Sequence, residues 1–341
     1  MADLFSTDTL AAIVEDLRMP ANGLAGRYFT NVQTCDTEEI HFDVDSKPRR
    51  MSPFVSPLVG GKVVRSRGFA AKTFKPAYIK DKRVFHPGRS IKRAMGERVG
   101  GGQYSPEERL QLLVAQDLQD QLDMLERRIE WMAAQAMHSG AVTITGEDYP
   151  TVAVDFGRDA GLTVVKVGGN RWGQAGIKPL DDLQDWSDTM VQKTGVAMTE
   201  VAMTVDVWKI FRADSDVKDR LARWRGNSTM QTDAHQREGL VFQGMVDQFA
   251  IYTYSGWVVD PLTDIEGSIL PAGTVIGAAG PAYVEGTRHF GAILDVDSLQ
   301  AVEYFTKSWV EQDPSLRYLL MQSAPLLVPE RVNATFRATV L

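Results

Sequence analysis

Residues 105–140 read SPEERLQLLVAQDLQDQLDMLERRIEWMAAQAMHSG, and they commit the chain to one long helix. Ser105 stands where an N-cap is needed. Pro106 suits the first helical position, where an N–H would go unpaired anyway, and Glu108 completes a capping box. Gly140 supplies the stop. Leu110, Val114, Leu118, Leu122, Leu125, Ile129, Met132 and Ala136 recur every three or four positions, which collects them on one helical face. About 33 residues at 1.5 Å each make a rod of roughly 50 Å. Such a rod spans more than a small domain, so the remaining elements must pack along it or hang from it. Asp117, Asp120, Asp123, Glu126 and Glu130 fall mostly off the apolar face and read as a solvated acidic stripe.

Ahead of the helix the charge is reversed. From Lys47 to Arg93 there are 14 Lys or Arg and a single acid, Asp81, a net of +13. The whole chain carries −7, so the rest carries −20. A segment this basic repels itself, so it is either solvated or faces an anionic partner. Residues 55–85 hold β-branched and aromatic residues in partial alternation, interrupted by Pro57 and Pro76. Proline blocks pairing inside a central strand, so an exposed two-stranded ribbon is predicted. A ribbon of that kind is marginal alone and needs a surface to lie on.

The other segments differ in character. Residues 1–46 begin with an amphipathic stretch, Leu10 to Leu17, and then lack a strong period, which reads as an arm. After Gly140, VTITGEDYPTVAVDFGR reads as a β-hairpin. Residues 170–290 mix helical patterns (Leu180 to Gln192, Asp206 to Phe211, Asp216 to Trp224) with apolar strands (Val196 to Met203, Phe249 to Tyr254, Thr274 to Ala278). That is an α+β unit, with aromatic residues enough for a core of its own. The closing run, SLRYLLMQSAPLLVPERVNATFRATVL, holds two strand-like stretches expected to pair with the hairpin.

Composition is that of an ordinary globular protein, and 341 residues suffice to bury roughly three quarters of the unfolded surface. Cys35 is alone, so no intramolecular disulfide forms and a reducing compartment is expected. The first twenty residues lack signal-peptide character and no run of 18 apolar residues occurs, so neither secretion nor a membrane span is expected. No catalytic, cofactor or metal site is nominated. The five histidines are scattered without HExxH, and no GxSxG elbow is present. Asp233, His235 and Glu238 lack a nucleophile and read as a polar loop. Residues 99–105, VGGGQYS, end in Gln and Tyr where a phosphate loop needs Lys and Ser or Thr, so Gly100, Gly101 and Gly102 read as a hinge. The seven tryptophans are dispersed rather than interleaved with the basic run, so packing is their expected use.

The stretches FVSPLVGGKVVRSRG (54–68), FKPAYIKDKRVFHP (74–87), TITGEDYPTVAVDFGR (143–158) and MQSAPLL (321–327) resemble the lambda major capsid protein family of tailed bacteriophages, which has the Hong Kong 97 fold. The resemblance implies an α+β chain divided into an N-terminal arm (1–46), an extended E-loop (47–98) and a P-domain with spine helix and hairpin (99–169). An A-domain (170–292) and a return to the P-domain (293–341) complete it. It implies a non-enzymatic subunit that joins copies of itself, as hexamers and pentamers, into an icosahedral shell around double-stranded DNA without reading its sequence. A scaffold protein, a portal and a decoration protein are further implied partners. The implied location is the virion, after assembly in the host cytoplasm. In this picture Arg65, Arg67, Lys72, Lys75, Lys80 and Lys82 lie on a neighbouring subunit, with the Asp117–Glu130 stripe as one counter-surface. Gly100–Gly102 would flex during shell expansion, and no covalent cross-link is expected. An encapsulin-like compartment would share the fold. A nucleic-acid-binding protein using residues 47–93 is the reading from a different class, opposed by the acidic remainder.

Overall fold

Ser105 caps the long helix as its sequence requires. Its Oγ accepts from the Glu108 backbone N–H at 3.2 Å, and the Glu108 carboxylate accepts from the Ser105 N–H at 2.7 Å. The helix runs Pro106–Ser139 and stops at Gly140, which sits at φ 68°, ψ 15°. Val114, Leu118, Leu122, Leu125, Ile129, Met132 and Ala136 are all buried. Each such burial contributes about 1.5–3 kcal/mol for a large side chain, so packing rather than propensity holds this helix. The computed structural model describes residues 6–16, 23–37, 39–45, 51–52, 54–57, 69–86, 88, 104–146, 149–227, 239–295, 301–313 and 315–341.

In chain order, α1 (Thr7–Asp16), α2 (Leu24–Tyr28), β1 (Asn31–Thr34), β2 (Ile40–Asp45), β3 (Phe69–Phe74) and β4 (Ile79–Phe85) precede the long helix, α3. The hairpin β5 (Ala141–Gly146) and β6 (Tyr149–Asp155) follows it, then β7 (Thr163–Val165) and α4 (Pro179–Thr194). Next come β8 (Glu200–Thr204), α5 (Val205–Phe211), α6 (Ser215–Asn227), β9 (Leu240–Val246), β10 (Phe249–Tyr254), β11 (Trp257–Val259) and β12 (Glu266–Ser268). The last elements are β13 (Thr274–Ala278), α7 (Pro281–Val284), β14 (Gly286–Phe290), β15 (Phe305–Glu311), β16 (Leu316–Ser323), β17 (Pro325–Pro329) and β18 (Thr335–Thr339).

A mixed six-stranded sheet, ordered β7-β18-β13-β8-β10-β9, forms the largest layer. Every residue of β8 and β13 is buried, as expected of strands covered on both faces. Trp186 stacks on Trp172 at 5.8 Å and on Phe336 at 5.2 Å, and Trp172 stacks on Phe211 at 5.7 Å. Three of the dispersed aromatics of residues 170–290 thus share one core with Phe336 of β18.

That contact overturns one sequence expectation. A boundary at residue 292 cuts through the sheet, because β7 and β18 lie outside 170–292 and β18 pairs with β13 along its whole length. The closing strands also find other partners than predicted. β17 pairs with β14, β16 with β15 and β4, and β18 with β13 and β7, while among the described residues β5 and β6 pair only with each other. The reason is burial: all five residues of β17 are buried, and a hairpin with exposed Thr143 and Thr151 is too wet to cover them.

The ribbon predicted for residues 55–85 is corrected in the same way. Its two described strands do not pair with each other. β3 pairs with β2, and β4 joins a separate sheet ordered β15-β16-β4. Pro76 separates them and is buried. Residues 1–46 are likewise more than an arm: α1 packs on α3 and β15, α2 packs on α3 and α7, and β1 runs parallel to β14.

Candidate assembly surfaces and the anchors of the long helix

Three carboxylates of the supposed acidic stripe are buried inside the chain. Asp117, Glu126 and Glu130 are 3%, 2% and 7% exposed, so the solvated-stripe reading fails for them. Helical spacing had placed them beside the apolar face, and the surrounding elements wrap far enough round α3 to enclose them. Glu130 accepts the backbone N–H groups of Leu24 and Ala25 at 2.8 Å each and the Tyr254 hydroxyl at 2.9 Å. Burial pushes its carboxyl up, and these three donors together with Arg288 oppose the rise. Glu126 accepts from the Tyr304 hydroxyl at 2.7 Å and lies 3.8 Å from the Arg288 guanidinium. Asp120 is exposed, and Asp123 is half-buried with an acceptor bond from Gln119. Only these two remain as outward acids of the five.

The α2 segment is held from its other side as well. Glu200 of β8 accepts from Arg27 Nε at 2.7 Å, from Arg27 Nη2 at 2.5 Å and from the Tyr28 hydroxyl at 2.8 Å. Arg27 also lies 4.5 Å from the centre of the Tyr252 ring. Burial would lower the Arg27 guanidinium, and Glu200 more than reverses this. One short helix therefore bridges the long helix and the six-stranded sheet. Gly286 permits the close approach: a Cβ there would collide with the Tyr28 carbonyl oxygen.

At the far end of α3, Arg158 donates to the carbonyl of Met137 at 2.7 Å and to that of His138. It supplies the positive end that the last helical carbonyls favour. Burial, reinforced by Arg337 and Arg158, depresses His138 to about 4, while burial and Arg337 lower Arg158 to about 10. At neutral pH Arg158 stays charged and His138 stays neutral. Sequence reasoning singled out none of Arg27, Tyr28, Glu200 or Arg288; only Arg158 carried a signal, as the last residue of TITGEDYPTVAVDFGR.

The basic residues distribute as follows. Arg65, Arg67 and Gly100–Gly102 lie outside the described residues, and Lys72 is placed on β3 by its backbone alone. Lys75 is exposed between β3 and β4. Lys80 lies over Tyr78 at 5.4 Å, and Lys82 lies over Tyr318 at 4.8 Å. Asp233, His235 and Glu238 are outside the described residues. Among the described residues no group of three His, Cys, Asp or Glu could hold a metal ion, and no helix is long and apolar enough to cross a membrane.

A long capped helix carrying hairpins beside a mixed sheet is the Hong Kong 97-type fold of phage capsids. The capsid protein of a prophage of E. coli CFT073 superposes with a TM-score of 0.77 at 21% identity, over 98% of this chain and 99% of that one. The capsid of Ralstonia phage GP4 gives 0.53 at 9% identity, over 95% and 91%. In sequence, the major capsid protein of Escherichia phage N15 is 30% identical over 308 residues, covering 88% of this chain and 89% of its own. That of Escherichia phage lambda is 28% identical over the same shares. The family model for phage major capsid protein E matches residues 6–340, and the chain belongs to that family. It is a structural component of a phage head shell, and its place is the virion capsid.

Proposed function

We propose that the basic segment 47–98 acts as an E-loop that lies across a neighbouring copy during assembly of hexamers and pentamers. The pairing of β2 with β3 carries this reading. Asp45 stands opposite Phe69, so residues 46–68 are the connection of an antiparallel hairpin. That connection holds six Lys or Arg and no acid. A long cationic loop leaving two paired strands cannot neutralise itself, and a neighbour's acidic surface, including Asp120 and Asp123, supplies the missing charge. Each exposed pair contributes only about 0.2–1 kcal/mol, yet repetition round a closed shell sets register and partner choice. The chain acts without catalysis, encloses double-stranded DNA without sequence readout, and meets a scaffold protein, a portal and a decoration protein. The acidic remainder supports this, since a lining that bound phosphates would hinder movement of the genome. Gly100–Gly102 act as the hinge between loop and long helix.

The test is reversal of Arg65, Arg67, Lys72 and Lys75 to Glu. The subunit should stay soluble with unchanged helical circular dichroism, and shells should be absent by negative-stain microscopy. Normal shells from that variant would defeat the proposal.

A further inference from the structure

Two surfaces stay exposed among the described residues, and they are complementary in charge. The first is the hairpin β11–β12. Trp257, Val259, Leu262 and Ile265 are 61%, 55%, 54% and 66% exposed, an unusual density of apolar side chains within nine residues. The turn between the strands is fixed by backbone bonds from Asp260 to Ile265 and from Asp264 to Asp260, so the tip has a defined shape. Its charges are Asp260, Asp264 and Glu266, with no Lys or Arg between residues 257 and 268.

The second surface is the outward face of the β15-β16-β4 sheet. Register places Trp309, Tyr318 and Val84 in one row across the three strands, and Lys307, Leu320 and Lys82 in the next row of the same face. Trp309 and Tyr318 stack at 5.3 Å, and Trp309 and Val84 are exposed. Lys82 and Lys307 lie over these rings at 4.8 and 6.0 Å, and exposed Lys80 extends the basic edge. Lys307 is also paired with Asp295, and Glu311 bonds the Tyr318 hydroxyl, so the charge of this face rests chiefly on β4.

The long helix runs beside both surfaces, and its Arg128 faces the charges of Asp260 on the hairpin and Asp81 on β4. Gln121 donates to the Asp81 carbonyl of β4 at 2.7 Å and Met124 meets Arg83, whereas Asp123 and Arg127 line the cleft beside Trp257. At about 100° per residue the midpoints of those two pairs lie roughly 110° apart around α3. Within this copy the acidic apolar projection and the basic aromatic face both stay exposed. They can meet between copies placed head to tail, the arrangement that closes into rings.

We infer that the β11–β12 hairpin of one subunit docks on the Val84–Tyr318–Trp309 face of the next. This rests on the assembly of copies into a shell and not on the E-loop reading. The test places cysteines at Val84 and Ile265 of the full chain in a Cys35→Ser background, and treats assembled particles with a short bismaleimide. The double variant should give a ladder of covalent multimers on a denaturing gel, and either cysteine alone should give monomer. Shells that form normally but run as monomer would overturn the pairing while leaving assembly intact, and dimers from Ile265→Cys alone would overturn its head-to-tail sense. Independently, Asp264→Lys with Glu266→Lys should cut shell yield at least tenfold, as should Lys80→Glu with Lys82→Glu, with the folded subunit's dichroism unchanged. Combining all four should restore shells, and failure to restore them would count against the pairing. Salt-dependent binding of a single-stranded oligonucleotide that needs Lys80 and Lys82, with no cross-link, would assign the sheet face to nucleic acid instead.

Discussion

Glu130 accepts the backbone N–H groups of Leu24 and Ala25 across 106 and 105 positions of chain, each at 2.8 Å. A carboxylate in the C-terminal third of the long helix thereby does for α2 what a local capping residue usually does. Glu130→Ala leaves two N–H groups and the Tyr254 hydroxyl without their acceptor, at an expected cost of about 2–4 kcal/mol. Glu130→Gln keeps one acceptor oxygen and should cost less. Thermal melts of the two variants give the order, and equal melting temperatures for both and the parent would refute the role.

The other grip on α2 should be measurable as a coupling. Arg27 and Glu200 meet through two hydrogen bonds in a largely enclosed site. A double-mutant cycle with Arg27→Met and Glu200→Gln should return an interaction energy of about 1–3 kcal/mol. Additive single effects would show that Tyr28 and packing hold the segment without the ion pair.

His138 predicts a pH dependence with a definite sign. Its folded value of about 4 lies below the ordinary 6.5, so the unfolded chain takes up this proton first. Stability from this group is present above pH 6.5 and is lost as pH falls through 4, amounting to about 2–3 kcal/mol. Urea denaturation at a series of pH values should show that slope, and His138→Gln should flatten it. The groups facing His138 are Arg158 and Arg337, so Arg158→Ala should also shift its titration upward.

Gly140 and Arg158 should fail together. A Cβ on Gly140 would lie 2.8 Å from the Arg158 Cβ, and the residue is in the left-handed region. Gly140→Ala is therefore expected to cost about 1–2 kcal/mol from conformation alone, with more from displacement of Arg158. A calorimetric melt within half a degree of the parent would contradict this.

A fragment of residues 170–292 should not melt cooperatively. It lacks β18, which pairs with β13 over five residues, and Phe336, which stacks on Trp186. A sharp thermal transition from that fragment would show that β8, β10 and β13 suffice without their neighbour.

Local signals were legible and long-range ones were not. The limits of α3 followed from Ser105, Pro106, Glu108 and Gly140, because a cap acts over three or four residues. Strands β10 and β13 followed from continuous apolar runs. The partner of β4 did not follow, because alternation in IKDKRVF says that one face is buried and not against what. The burial of Asp117, Glu126 and Glu130 was hidden for the same reason: a carboxylate beside an apolar stripe looks solvated until Tyr304, Arg288 or the start of α2 arrives from a distant part of the sequence. The basic segment stood out by charge, whereas the apolar tip of β11–β12 gave no comparable signal, its apolar side chains being interleaved with Asp260, Asp264 and Glu266.

The position of β18 has a bearing on how the subunit is made. It lies between β7 and β13, and the ribosome adds it long after both. A nascent chain therefore carries β13 with an open edge until the last residues are made, and the sheet zips shut only when Thr335–Thr339 emerge. Any product of premature termination before that point lacks the strand that joins β7 to the rest of the sheet and the Phe336 ring that stacks on Trp186. A copy without Thr335–Thr339 therefore leaves one side of β13 unpaired, an open strand edge that invites a wrong partner.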